Sequence, residues 1–140
     1  MNLSTHLKPE LIFGAVKEAS IQLNFETYVI GGFVRDILLE RNSKDVDFVC
    51  VGSGIELAKN TASALGKNTD IAVYKNFGTA LVTHKGHDIE FVGARKESYR
   101  SDSRKPIVED GTLEDDQKRR DFTINALALS LNKSDFGQLL

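Results

Sequence analysis

A chain of 140 residues with 41% apolar and 27% charged content has the length and composition of one globular domain, which excludes a disordered chain. A formal net charge of -2 excludes a general basic field for nucleic acid, so any such contact is local or made by other segments. The single cysteine excludes an internal disulfide framework, and no Cys/His pattern suits a structural zinc ion.

The start, Met1 to Glu10, lacks the apolar core of a signal peptide, and no apolar run approaches the roughly 18 residues that span a membrane. A soluble protein in a reducing, cytoplasmic setting, with no membrane contact, is expected. A helix is predicted over about 8–23, with Pro9 in its first turn and Leu11, Ile12, Ala15, Val16, Ala19 and Leu23 on one face. Tyr28-Val29-Ile30 reads as a short buried strand that ends at Gly31-Gly32. Phe33 to Arg41 reads as a helix with Val34, Ile37 and Leu38 on one side. Asp45 to Val51 is a predicted strand ending at Gly52-Ser53-Gly54, with Cys50 in it as a small core hydrophobe. Ile55 to Leu65 is a second amphipathic helix, stopped by Gly66.

The period then changes. Ile71 to Tyr74, Thr79 to Thr83 and Asp88 to Ala94 are β-rich runs joined at Asn76-Phe77-Gly78 and Lys85-Gly86, which predicts a meander. Ser98 to Gly111 is polar, contains Pro106, and is predicted to be a mobile loop. Leu113 to Asp121 is densely charged and reads as a helix. Thr123 to Leu131 is apolar and fits either a helix or a strand. With no repeat, low-complexity tract or linker, a single domain over 1–140 is expected.

Three constellations carry chemistry. Asp45 and Asp47 are two apart on a predicted strand, so they share a face with α-carbons roughly 6.5 to 7 Å apart. That spacing suits two divalent ions held about 3.5 to 4 Å apart in a phosphoryl transfer. An isolated D-x-D is more often a solvated pair, and two glycines alone are more often a turn. The combination points further, because Gly31 and Gly32 remove side chains where a triphosphate would approach and the next helix offers its N-terminal amides. Arg35, one turn in, can contact phosphate oxygens. The order strand, glycines, helix invites comparison with a dinucleotide site, but G-x-G-x-x-G is absent and a meander follows, so a nicotinamide site is not expected.

Asp88 and Glu90 repeat the acidic spacing. If their strand lies beside Asp45 to Val51, Glu90 becomes a third acidic group near the pair; alone it reads as a solvent-facing alternation. In Arg119-Arg120-Asp121-Phe122-Thr123-Ile124-Asn125, one arginine can reach phosphate, Asp121 can orient an arginine, and Asn125 offers a donor and an acceptor. Taken alone, Glu114 to Asp121 reads as a solvated helix face. Arg95, Lys96, Arg100, Arg104 and Lys105 form the one basic cluster, which fits an RNA or nucleotide contact and a surface loop equally well.

Together, Val29-Ile30-Gly31-Gly32-Phe33-Val34-Arg35-Asp36-Ile37-Leu38-Leu39, Asp45-Val46-Asp47 and Arg119 to Leu127 resemble the head domain of the class II tRNA nucleotidyltransferase (CCA-adding enzyme) and bacterial poly(A) polymerase family. Ile89 to Tyr99 and Gly111 to Asp116 match as well, so the resemblance covers roughly Tyr28 to Leu129. One small departure is Glu40, where many members carry glycine.

The resemblance implies an α/β (α+β) nucleotidyltransferase fold, a mixed and mostly antiparallel sheet flanked by helices. It implies template-independent addition of CMP and AMP from CTP and ATP to the 3′ end of tRNA. Two Mg2+ ions would be held by Asp45 and Asp47, with Glu90 as a third acidic residue near the site. Gly31, Gly32, Arg35, Arg120, Asp121 and Asn125 would form the nucleotide site, with Gly32, Arg35 and Arg120 contacting the triphosphate. The loop after Tyr99 would help to position nucleotide and RNA. In the family a neck domain reads the base through an E-D-x-x-R helix, and body and tail domains grip the tRNA. Asp115-Asp116-Gln117-Lys118-Arg119 only superficially looks like that motif and belongs to the head. The chain stops at Leu140 and is therefore expected to be an isolated catalytic domain, with tRNA bound mainly through missing parts and no stable protein partner inferable. A poly(A) polymerase head adding AMP to RNA is the near alternative. A nucleotide- and metal-binding module, inactive without its missing domains, is the alternative from another class.

Overall fold

The structure, a computed structural model, describes residues 2, 11–39, 45–99, 106–118 and 127–140. Helix α1 (Leu11–Leu23) buries Ile12, Phe13, Ala15, Val16 and Ala19. Its stripe differs from the predicted one at one position: Leu11 is exposed and Phe13 is buried. Residues 11 and 13 flank the Ile12–Val16–Ala19 stripe on opposite sides. The sheet lies on the Phe13 side, where its ring meets Phe33 at 5.3 Å and Phe48 at 5.9 Å between centroids. The predicted helical Pro9 lies outside the described residues.

Strand β1 (Thr27–Ile30) leads through Gly31 into the short helix α2 (Gly32–Leu38), and β2 (Val46–Cys50) follows. Helix α3 (Gly54–Leu65) starts where Ser53 Oγ accepts the Glu56 N–H at 3.2 Å, and ends at Gly66, where φ is 72°. The predicted meander is present as β3 (Thr69–Tyr74), β4 (Thr79–His84) and β5 (His87–Gly93), with a 3-10 turn at Lys75–Phe77.

The predicted mobile loop over Ser98–Gly111 is corrected at its two ends, where the chain is strand; residues 100–105 lie outside the described residues. Strands β6 (Arg95–Tyr99) and β7 (Pro106–Asp110) pair antiparallel, from Arg95 opposite Asp110 to Tyr99 opposite Pro106. Arg-Lys-Glu-Ser-Tyr has no apolar alternation to betray a strand. Pro106 is tolerated because it is the first residue of its strand.

Helix α4 (Leu113–Lys118) opens with a reciprocal cap. The Asp115 N–H donates to Thr112 Oγ1 at 3.2 Å, and the Thr112 N–H donates to Asp115 Oδ2 at 3.0 Å. In the ambiguous apolar stretch, Ala128–Ser130 is a strand, β8.

The main sheet has the order β3-β4-β5-β2-β1-β8. Among the described residues β2 and β5 pair parallel and the other neighbours antiparallel, so the sheet is mixed and mostly antiparallel, as expected. One face packs under α1 and α3. There Phe48 stacks on Phe91 at 5.4 Å, with Val29, Cys50, Leu57, Val82, Ile89 and Leu129 around them. The opposite face carries a smaller cluster of Tyr28, Ile30, Val49, Ala94, Leu113 and Ala128. This second face also carries the acidic residues.

Candidate active site

Alternation along β2 sets the site. Val46 and Phe48 are buried under the helices, which turns Asp47 to the opposite face; Asp45 stands just before the strand and is exposed. Asp47 has Ile30 as its register partner on β1 and Glu90 as its partner on β5. The conditional expectation for Glu90 is therefore met: its strand lies beside Asp45 to Val51, and Glu90 is exposed on the same face as Asp47.

Directly after Ile30, Gly31 is buried and has φ 73°, a conformation that side chains disfavour. A Cβ at Gly31 would stand 3.0 Å from Asp47 Oδ2. The glycine thus leaves clear space beside the carboxylate. A Cβ at Gly32 would stand 3.2 Å from the Arg35 guanidinium, which folds back toward the glycine turn. Arg35 Nε donates to Asp36 Oδ1 at 3.3 Å, but its side chain remains 41% exposed, so this surface pair holds the arginine only weakly.

The structure thus gathers Gly31, Gly32, Arg35, Asp47 and Glu90 where β1, β2 and β5 adjoin, with Asp45 at the entry to β2. Arg120, Asp121 and Asn125 lie outside the described residues. The strand that follows them, β8, begins with Ala128 opposite Ile30.

No group of three His, Cys, Asp or Glu side chains among the described residues is arranged to hold a metal ion. Two carboxylates suffice for magnesium, which takes hard oxygen donors, commonly one or two carboxylates completed by substrate phosphates. The space left by Gly31 beside Asp47 Oδ2 fits that demand.

Two features escaped sequence reasoning. Asp116, within a run read as a solvated face, is fully buried, and its Oδ1 accepts the Arg95 N–H at 3.2 Å. It ties α4 to the start of β6. Charge runs carry no sign of which member turns inward. The second feature is a hollow of about 570 Å³ at the far end of β2 and β5 from Asp45, lined by Gly52, Gly54, Asn76, Phe77, Gly93 and Arg95 among others. Gly54 and Gly93 are forced there by close packing: a Cβ on Gly54 would lie 2.8 Å from the Val92 carbonyl carbon, and one on Gly93 2.6 Å from the Gly52 oxygen.

Residues 27–139 match the family described as the poly A polymerase head domain. An A-adding tRNA nucleotidyltransferase of Aquifex aeolicus (strain VF5) is 46% identical over 113 residues, covering 81% of this chain and 14% of its own. A solved CCA-adding enzyme in an apo form superposes with a TM-score of 0.85 at 34% identity, covering 100% of this chain and 34% of its own. A tRNA nucleotidyltransferase solved with a primer tRNA and an incoming ATP analogue gives a TM-score of 0.74 at 38% identity, covering 89% and 33%. The chain therefore spans about one third or less of the relatives it matches. Motifs, sheet order and these likenesses agree, and the chain belongs to the poly A polymerase head domain family.

Proposed function

We propose that this chain is the nucleotide-transferring head of an enzyme that adds CMP and AMP from CTP and ATP to the 3′ end of tRNA. The observation that carries this reading is Asp47, flanked by Gly31 and Glu90 on the open face of the sheet. Its relatives support it as well: one is a tRNA nucleotidyltransferase solved with primer tRNA and an ATP analogue, another was solved with CTP.

Asp45 and Asp47 would hold Mg2+, and Glu90 would add negative charge near them. When bound, two such ions would acidify the attacking hydroxyl and offset charge on the leaving oxygens. Gly31 and Gly32 let the triphosphate approach the backbone without meeting a Cβ. Arg35 and Arg120 bind phosphate oxygens through charge-assisted hydrogen bonds. Asp121 orients an arginine and Asn125 offers a donor and an acceptor to the nucleotide. Held in this way, the α-phosphate faces the RNA 3′-hydroxyl, which displaces pyrophosphate. Base choice and most of the grip on tRNA fall to domains beyond residues 1–140, in a cytoplasmic setting. No helix of the described residues is long and apolar enough to cross a membrane.

A second reading is addition of the terminal AMP alone, favoured by the 46% identity to an A-adding enzyme. Incorporation assays on tRNA with no CCA, tRNA ending in C and tRNA ending in CC, with the head joined to its downstream domains, test both. Extension of all three supports CCA addition, and extension only of the CC-ending tRNA supports A addition. No extension of any of them overturns the proposal.

A further inference from the structure

Among the described residues, the exposed large aromatic side chains are Tyr74, at 49%, and Phe77, at 68%. Both belong to one turn, Tyr74-Lys75-Asn76-Phe77-Gly78, between β3 and β4. Closing a hairpin does not require them, because small and polar residues do that. Two hollows adjoin at this turn and share Asn76 and Phe77. The first is the 570 Å³ hollow bounded by Gly52, Gly54 and Arg95; the second, of about 380 Å³, is bounded by Val73 and Tyr74.

Arg95 donates a guanidinium N–H to the Phe77 carbonyl oxygen, using one of its five donors. This contact ties Arg95 to the turn and sets positive charge in the wall of the larger hollow, while Lys75 is exposed beside it. The Asn76 amide offers both a donor and an acceptor. A flat ring, an amide and a cation at one edge are the groups that receive an unpaired base: the ring takes its face, the amide its edge and the cation its phosphate. The larger hollow mixes the apolar surfaces of Ile55 and Phe77 with glycine backbone, Ser53, Asn76, Arg95 and Asp110, a combination that offers a base both a face to stack on and polar groups for its edge.

We propose that the Asn76–Phe77 turn is a stacking site for an unpaired nucleotide of the RNA strand, separate from the triphosphate site. The inference rests on the reading of the substrate as RNA. Asp47 lies near the start of β2, whereas Gly52 in the wall of the hollow stands past its end at Cys50, so the two sites occupy opposite ends of the strand. The nucleotide stacked at the turn is therefore not the one being extended.

Amide NMR spectra of the 140-residue chain, titrated with an unstructured RNA octamer and separately with ATP and Mg2+, test this. RNA is expected to shift Asn76, Phe77, Gly78 and Gly54, and ATP is not. Phe77→Ala, at an exposed position, should weaken RNA binding about tenfold, and Phe77→Tyr should restore it. Lys75→Ala should lower the slope of log affinity against log salt by about 0.7, one phosphate on a single strand. RNA binding unchanged in Phe77→Ala overturns the site, as does an equal response of the turn to ATP. RNA shifts confined to the neighbourhood of Asp47 and Glu90 overturn the site and leave the RNA reading standing. An absence of RNA shifts anywhere at millimolar RNA overturns the site and leaves standing the RNA reading, which places most of the grip on tRNA beyond residues 1–140.

Discussion

Asp47 and Glu90 face one another across neighbouring parallel strands, 43 positions apart in sequence and adjacent in the sheet. Each follows a buried apolar residue, Val46 and Ile89, that locks its strand into the helix-covered core. A one-residue slip of either strand would bury the carboxylate and expose the hydrophobe. The acidic register is thus set by the core on the other side of the sheet.

Replacing Asp45 or Asp47 by alanine should abolish nucleotide addition, with the head joined to its downstream domains, and change the melting temperature by only a few degrees. Asp45 is exposed and Asp47 half-buried, so neither supplies core packing. Incorporation assays and thermal melts check this. Normal turnover in either folded variant would remove the metal assignment.

Gly31→Ala should do more harm to activity than to folding. Its φ of 73° with ψ of -145° lies outside the left-handed helical well and strains alanine by about 1–3 kcal/mol, and its Cβ would press on Asp47 Oδ2. Gly66 supplies a control, since it has φ 72° and a Cβ there would meet nothing within 4 Å. Gly31→Ala and Gly66→Ala should melt within a few degrees of each other, while the former loses at least about a hundredfold in turnover. Equal activity in the two variants would show that the space beside Asp47 has no part in the reaction.

Cys50 should resist thiol reagents in the folded chain. Burial pushes its thiol up to about 12, with the Glu56 carboxylate adding to the shift. At pH 8 roughly one thiol in ten thousand would be ionised, and the thiolate is the reactive form. Labelling should be slow at pH 8, quicken as pH rises toward 12, and become immediate in urea. Rapid labelling of the native chain at pH 8 would show that β2 opens readily.

Legibility followed sequence distance. Gly31, Gly32, Arg35, Asp45 and Asp47 fall within 17 consecutive residues, and their strand, turn and strand pattern was readable from local chemistry. Glu90 was readable only on condition that two strands met, because parallel pairing leaves no mark in either strand. The β6–β7 hairpin was hidden by its polar composition, and the inward turn of Asp116 by the charges around it. The exposed ring of Phe77 looked like part of an ordinary turn, since the hollows beside it are walled by residues from three other parts of the chain.

Base selectivity resides outside the residues assigned to the nucleotide here. The 140-residue chain should bind ATP, CTP, GTP and UTP weakly and with similar affinity in the presence of Mg2+. The groups assigned to the nucleotide are chiefly those that meet phosphate: two carboxylates through the metal, two glycines, Arg35 and Arg120. Every triphosphate looks alike to such a set, and discrimination needs donors and acceptors aimed at the base. Arg120→Ala should therefore weaken ATP and CTP alike, by roughly tenfold, as expected for a lost hydrogen bond to a charged group. Calorimetry with all four nucleotides on both proteins is the measurement. A loss confined to one base would mean that the Arg120 segment reads bases. Strong preference of the unmodified chain for ATP and CTP would place the selector inside the head, among residues 1–140.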